Sequence, residues 1–231
     1  MLGKSQLLKD FVKNDYNLES ILMRLKVILS DLKDDSILEW INGELSGFKK
    51  MSLPEYRILK GRAVGTFVVN QRVQYTNASV PLKGRLLKED IEKLLTVEIK
   101  DSVNVLLNIL QSENKDNVGI SIPTEMCHSI SDYNLQIVSM RIAISSSQLD
   151  GILATVKSKI LDILLLLEKN FENIDDLDIL SQIEENPNMA QEVIYNIQQA
   201  VFGDVIEIEI GDKNKIKNSA FGKLLGRKNE Y

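Results

Sequence analysis

Leu18, Ile21, Leu22, Leu25, Ile28, Leu29 and Leu32 recur at spacings of three and four residues, the period that places side chains on one face of an α-helix. Upstream, Leu7, Leu8, Phe11 and Val12 predict a shorter helix. Downstream, Ser36 and Glu39 have capping-box spacing ahead of Ile41 and Leu45, and Gly47 can end that third helix. The first fifty residues therefore read as a helical unit whose apolar stripes need a partner surface.

The pattern changes at Leu53-Pro54. Proline disfavours helix, and the run from Ile58 through Val64, Phe67, Val68 and Val69 predicts a strand. Asn70-Gln71 separates it from residues 72–80, and asparagine tolerates the positive φ of a tight hairpin turn. Gly61 and Gly65 leave side-chain-free positions where a bulge or close packing can occur. They lack the spacing of a phosphate or dinucleotide loop.

Ile91, Leu94, Leu95, Ile99, Val103, Leu106, Leu107 and Leu110 predict one long amphipathic helix covering the sheet. Residues 118–122 and 135–144 read as strands, the second ending at serines able to cap a helix starting near Ser147. That helix, with Ile152, Leu153, Val156, Ile160, Ile163, Leu164 and Leu167, is expected to lie deep in the core. Residues 171–190 are acidic, contain Pro187 and read as a linker with at most one short helix. Phe202-Gly203-Asp204 recurs as Ile210-Gly211-Asp212, and short β segments of this kind invite pairing with another surface.

The expected architecture is α+β: a small mixed or antiparallel sheet with a hairpin, packed against long amphipathic helices. Residues 1–170 form the main domain, 1–50 being its helical unit, followed by the linker 171–190. A β-rich tail, 191–231, is expected to mediate oligomerisation through Val205, Ile206, Ile208, Ile210 and Ile216.

Composition narrows the function classes. No apolar run approaches the length of a membrane span, and the N-terminal residues lack a secretory core, so a cytoplasmic protein without membrane contact is expected. Cys127 is the only cysteine, which excludes an intramolecular disulfide. The net charge of -5 weighs against whole-molecule attraction to nucleic acid, although Lys213, Lys215, Lys217, Lys223, Arg227 and Lys228 make the end of the chain basic.

Chemistry-bearing residues are sparse. His128, the only histidine, excludes a two-histidine metal site, and adjacency to Cys127 in an extended segment would turn the two side chains apart. No Gly-x-Ser-x-Gly elbow exists. Glu39 and Glu44 flank Trp40 after Asp31, Asp34 and Asp35, which admits a metal-dependent nuclease acting on RNA or DNA as the alternative function; capping explains such acids equally well. The catalytic residues are unknown, and no metal or cofactor is expected.

The most distinctive string is Glu39-Trp40-Ile41-Asn42-Gly43-Glu44-Leu45-Ser46-Gly47-Phe48, followed by Leu53-Pro54-Glu55-Tyr56-Arg57. It resembles the AbiTii domain of bacterial abortive-infection proteins, in which a tryptophan helix ends in a Glu-Leu-Asn-Gly-Tyr-like segment before a Leu-Pro-x-Tyr-Arg-like strand entry. Ser46 and Phe48 replace the commonest asparagine and tyrosine. Gly151-Ile152-Leu153 and Lys159-Ile160-Leu161-Asp162 resemble a second block of the family. The resemblance implies defence against phage by stopping the infected cell; together with the pairing expected of the tail, this reads as a homo-oligomeric sensor or growth-arresting effector that contacts phage or host proteins. It flags Trp40, Glu44, Gly47, Pro54, Tyr56 and Arg57 as motif positions without supplying a mechanism. Trp40 as a core anchor, and Arg57 either paired with Glu44 or satisfying helix-end carbonyls, are their structural reading.

Overall fold

The computed structural model describes residues 4–13, 17–49 and 51–203; Val205, Ile206, Ile208, Ile210 and Ile216 lie outside the described residues. Three helices open the chain: α1 (Gln6–Lys13), α2 (Leu18–Ser30) and α3 (Asp35–Ser46). Asn17 caps α2 by accepting from the Glu19 amide. Asp34, rather than Ser36, caps α3: its Oδ1 accepts from the Ile37 amide at 2.9 Å and from the Ser36 hydroxyl at 2.6 Å. A carboxylate there also meets the positive end of the helix dipole, which a hydroxyl cannot match. Buried Asp10 is held by Arg24 at 3.1 Å, tying α1 to α2.

Among the described residues, six strands make two antiparallel sheets. β1 (Ile58–Lys60) pairs with β4 (Thr96–Glu98). The larger sheet has the order β3 (Val73–Ser79), β2 (Arg62–Val69), β6 (Leu135–Ala143), β5 (Gly119–Ser121). Asn70 (φ 49°) and Gln71 (φ 56°) form the left-handed turn between β2 and β3. The register slips between Thr66 and Phe67, so β2 and β6 meet at a bulge. Beside it, Gly65 lies so close to the Ser139 carbonyl that no Cβ would fit.

The single long helix expected over 91–110 is instead α4 (Lys88–Leu95), β4 and α5 (Val103–Gln111). Thr96, Val97 and Ile99 are β-branched and favour extended backbone. Pairing with β1 satisfies that backbone, Val97 and Ile99 bury their side chains, and Ser102 restarts the helix by accepting from the Val105 amide.

Short α6 (Thr124–Ile130) packs on β6. The core is organised around α7 (Ser146–Asn170), which starts with a capping box in which Ser145 and Gln148 bond each other's backbone. Its Leu149, Ile152, Leu153, Val156, Ile160, Ile163, Leu164 and Leu167 are buried, each worth about 1.5–3 kcal/mol relative to exposure. The segment read as a linker is docked. Phe171, Ile174 and Ile179 are buried anchors, and the Ile179 amide donates to Asp31 at 3.0 Å. After α8 (Leu180–Glu185), residues expected to begin a β-rich tail form the helix α9 (Pro187–Phe202), which packs on α7.

Candidate functional site

Trp40 and Glu44 stand one helical turn apart on the buried side of α3. Pro54 leads into a 3-10 turn, Glu55–Arg57, that presents Tyr56 and Arg57 to them. The guanidinium donates through Nε to Glu44 Oε1 at 3.2 Å and through Nη2 to Oε2 at 2.5 Å. Its Nη1 donates to the carbonyls of Ile99 at 3.1 Å and Asp101 at 2.6 Å. The Tyr56 hydroxyl donates to Glu44 Oε1 at 2.5 Å and accepts from Trp40 Nε1 at 2.9 Å.

Both side chains of the ion pair are 0% exposed. Such a pair is tolerable in a dry interior only when the remaining donors and acceptors are engaged. Here the backbone carbonyls after β4 and the Tyr56 hydroxyl do that. The Phe48 ring lies 4.8 Å from the guanidinium carbon and covers its face. Gly43 makes room for that ring, because a Cβ there would run into it. Gly47 turns the chain at φ 90°, a Cβ there would meet the Lys100 carbonyl, and the Phe48 amide donates to the same carbonyl at 2.8 Å. The spacing Gly43, Gly47, Phe48 thus closes the site.

Lys159 reaches in from α7. Its Nζ lies 5.5 Å from the Tyr56 ring centre and donates to the Ala200 carbonyl at 2.8 Å, near the end of α9. Burial lowers its pKa, against the pull of Asp162 and Glu44. Burial foremost, and then the Glu44 charge and hydrogen bond, hold the Tyr56 phenol well above its ordinary value.

All six motif positions lie at this junction or on the turns that lead into it. The sequence left unmarked the Ile99 and Asp101 carbonyls, the role of Gly43, and Lys159 as a cation beside the site. Two signals existed for the last: a lysine between Val156 and Ile160 on an otherwise apolar helix face, and its place in the family-like block Lys159-Ile160-Leu161-Asp162. Glu39 does not join Glu44: it is exposed and lines a groove of about 310 Å³ with Trp40, Phe48, Pro54, Gln198 and Phe202. Asp31 and Asp34 are occupied as acceptors for Ile179, Ile37, Ser36 and Gln198. Cys127 and His128 sit on helix α6 rather than on an extended segment; Cys127 is buried, which raises its thiol pKa, and His128 is exposed. Among the described residues no group of three or more histidines, cysteines and carboxylates could hold a metal, and no helix is long and apolar enough to cross a membrane.

These observations define a helix-rich α+β protein whose family motif is a buried, fully bonded ion pair. The AbiTii family model matches residues 5–193, and the chain belongs to that abortive-infection family. The match runs through the docked segment after α7 and into α9. No curated protein and no solved structure matches the chain.

Proposed function

We propose that this chain is a cytoplasmic antiphage defence protein of the abortive-infection type that works through protein contacts, as a homo-oligomeric sensor or growth-arresting effector. What supports this over an enzyme is the state of Glu44. The acid most embedded in the family motif is withdrawn from solvent, and both its oxygens are engaged by Arg57 and Tyr56. Trp40, Glu44, Gly47, Pro54, Tyr56 and Arg57 then act as scaffold, joining α3 to the β4–α5 segment. Contacts with other copies or with phage or host proteins fall to the surface and to the interaction tail that includes Val205, Ile206, Ile208, Ile210 and Ile216.

The test is phage challenge of bacteria expressing the full chain, a chain ending at Gly203, or neither, scored by phage yield and culture survival. Purified protein is incubated in parallel with RNA and DNA in the presence of divalent metal. At least a tenfold loss of phage yield with the full chain, without cleavage, is the expected result. Metal-dependent cleavage that disappears in Glu39→Ala overturns it in favour of a nuclease.

A further inference from the structure

The six arginines among the described residues divide in two. Arg24, Arg57 and Arg85 are paired with Asp10, Glu44 and Asp132. Arg62, Arg72 and Arg141 form no ion pair among the described residues, and all three belong to one sheet, on β2, at the tip of the β2–β3 hairpin and on β6. None of the four strands of that sheet contains an aspartate or glutamate, although the chain has 33 of them. The register puts Arg62, Val64 and Val68 of β2 on the same face as Arg141 and Gln136 of β6, opposite the buried Ala63, Phe67, Ile137 and Ile142. Val138, the extra residue of the bulge, is 57% exposed. This face therefore carries valines with Arg62 and Arg141 at one end, neither of them paired with an acid among the described residues, Arg141 donating to the Asn117 carbonyl at 3.0 Å.

The complementary pattern occurs elsewhere on the same chain. Residues 172–192 carry seven acids and no lysine or arginine. Asp176, just before α8, and Glu184 and Glu185, its last two residues, are exposed and unpaired among the described residues, and Leu180 at the start of α8 is 37% exposed. This surface lies beside α1 and α2, where Asp175 accepts from the Gln6 and Leu7 amides and the Ile179 amide donates to Asp31. It is a different surface from the outer face of the sheet.

We propose that the outer face of the β3-β2-β6-β5 sheet docks on the α8 surface of a second copy of this chain, in a head-to-tail contact. Arginine enrichment beside apolar residues is the composition of a protein interface, and a sheet face with valines and no stacking aromatic suits nucleic acid poorly. Because the two surfaces differ, the contact is heterologous and propagates into a ring or a filament instead of closing as a dimer. The inference rests on the oligomeric reading above and specifies its contact.

The experiment is light scattering of the full chain at about 50 mM and about 500 mM salt, a range over which exposed charge pairs are progressively screened. Two charge-reversed forms are compared with it, Arg62→Glu with Arg141→Glu, and Glu184→Lys with Glu185→Lys. The parent chain is expected to assemble and to lose mass at high salt. Each reversed form alone is expected at the mass of one chain, with an unchanged melting temperature. Mixed one to one, the two restore the large species, since each then offers the charge that the other lacks. Reversed forms that keep the parental mass overturn the proposed surfaces but leave an oligomer built through another contact, such as one lost in the chain ending at Gly203. A parent that is monomeric throughout overturns both readings, as does nucleic-acid capture by the sheet face without self-association.

Discussion

Arg57 and Glu44, thirteen residues apart in sequence, meet with both carboxylate oxygens engaged and neither side chain exposed. Removing one partner leaves the other charged and dry. Arg57→Ala and Glu44→Ala are therefore each expected to cost about 3–5 kcal/mol. The double alanine variant should cost well under the sum, because the second change removes the charge stranded by the first. Urea denaturation of the four proteins in the cycle measures this. If infected cells lose protection with Arg57→Ala while its stability equals the parent's, the pair has a role beyond scaffolding.

Gly43→Ala tests how tightly the site is closed. Its methyl group has nowhere to go while Phe48 covers the guanidinium, and overpacking of this kind costs about 1–3 kcal/mol. Combining it with Phe48→Leu should recover part of that loss. Thermal melts of the single and double variants decide: strictly additive losses would mean that the two positions do not compete for one space.

The elements easiest to read in the sequence were those with a local chemical signature. The α2 stripe, the Asn70-Gln71 turn and the serines before α7 each contain their own cause. The break between α4 and α5 was hidden because Ile91, Leu94, Leu95, Ile99, Val103 and Leu106 keep a helical spacing across it. Both short helices and β4 feed one core, so the period survives although the helix does not. The docked 171–190 segment was hidden for the opposite reason: acids separate Phe171, Ile174 and Ile179, so its apolar anchors form no stripe. At the site, resemblance marked the residues. Their common burial depends on the Gly47 turn and on carbonyls more than forty residues along the chain, which no local pattern carries.

Tyr56 gives a dependence on pH. Its folded-state pKa is raised well above the ordinary 10.0, so above pH 10 the unfolded chain releases a proton that the folded chain retains. The associated stability is present in full below pH 10 and is lost as pH rises beyond it. Tyr56→Phe should cost about 1–3 kcal/mol at neutral pH by leaving Glu44 and Trp40 short of a partner, and should flatten the alkaline decline. Chemical denaturation at a series of pH values measures both effects, and equal alkaline slopes in the two proteins would show that Tyr56 does not retain its proton.

Ser145 closes the capping box that starts the central helix. Ser145→Ala is expected to cost about 0.5–2 kcal/mol, with Gln148→Ala adding little once Ser145 is gone, since each bond orients the same turn. Circular dichroism melts of the pair provide the measurement. Full additivity would mean that the two caps act independently.

The folded unit should end after α9, not after α7. Ala190, Val193, Ile197 and Val201 are buried, and the Ala200 carbonyl takes the hydrogen bond from Lys159. A chain ending at Asn186 uncovers α7 and leaves a half-buried cation without its acceptor, so it is expected to melt far below the parent or to aggregate. A chain ending at Gly203 keeps every buried residue named above and is expected to melt with the parent. Comparing the two truncations by calorimetry places the boundary, and a stable protein ending at Asn186 would show that α9 is dispensable. The distinction matters for any assay of the remaining chain: defence lost on cutting at Asn186 could report unfolding, whereas defence lost on cutting at Gly203 with the melting transition intact reports what residues 204–231 contribute to function.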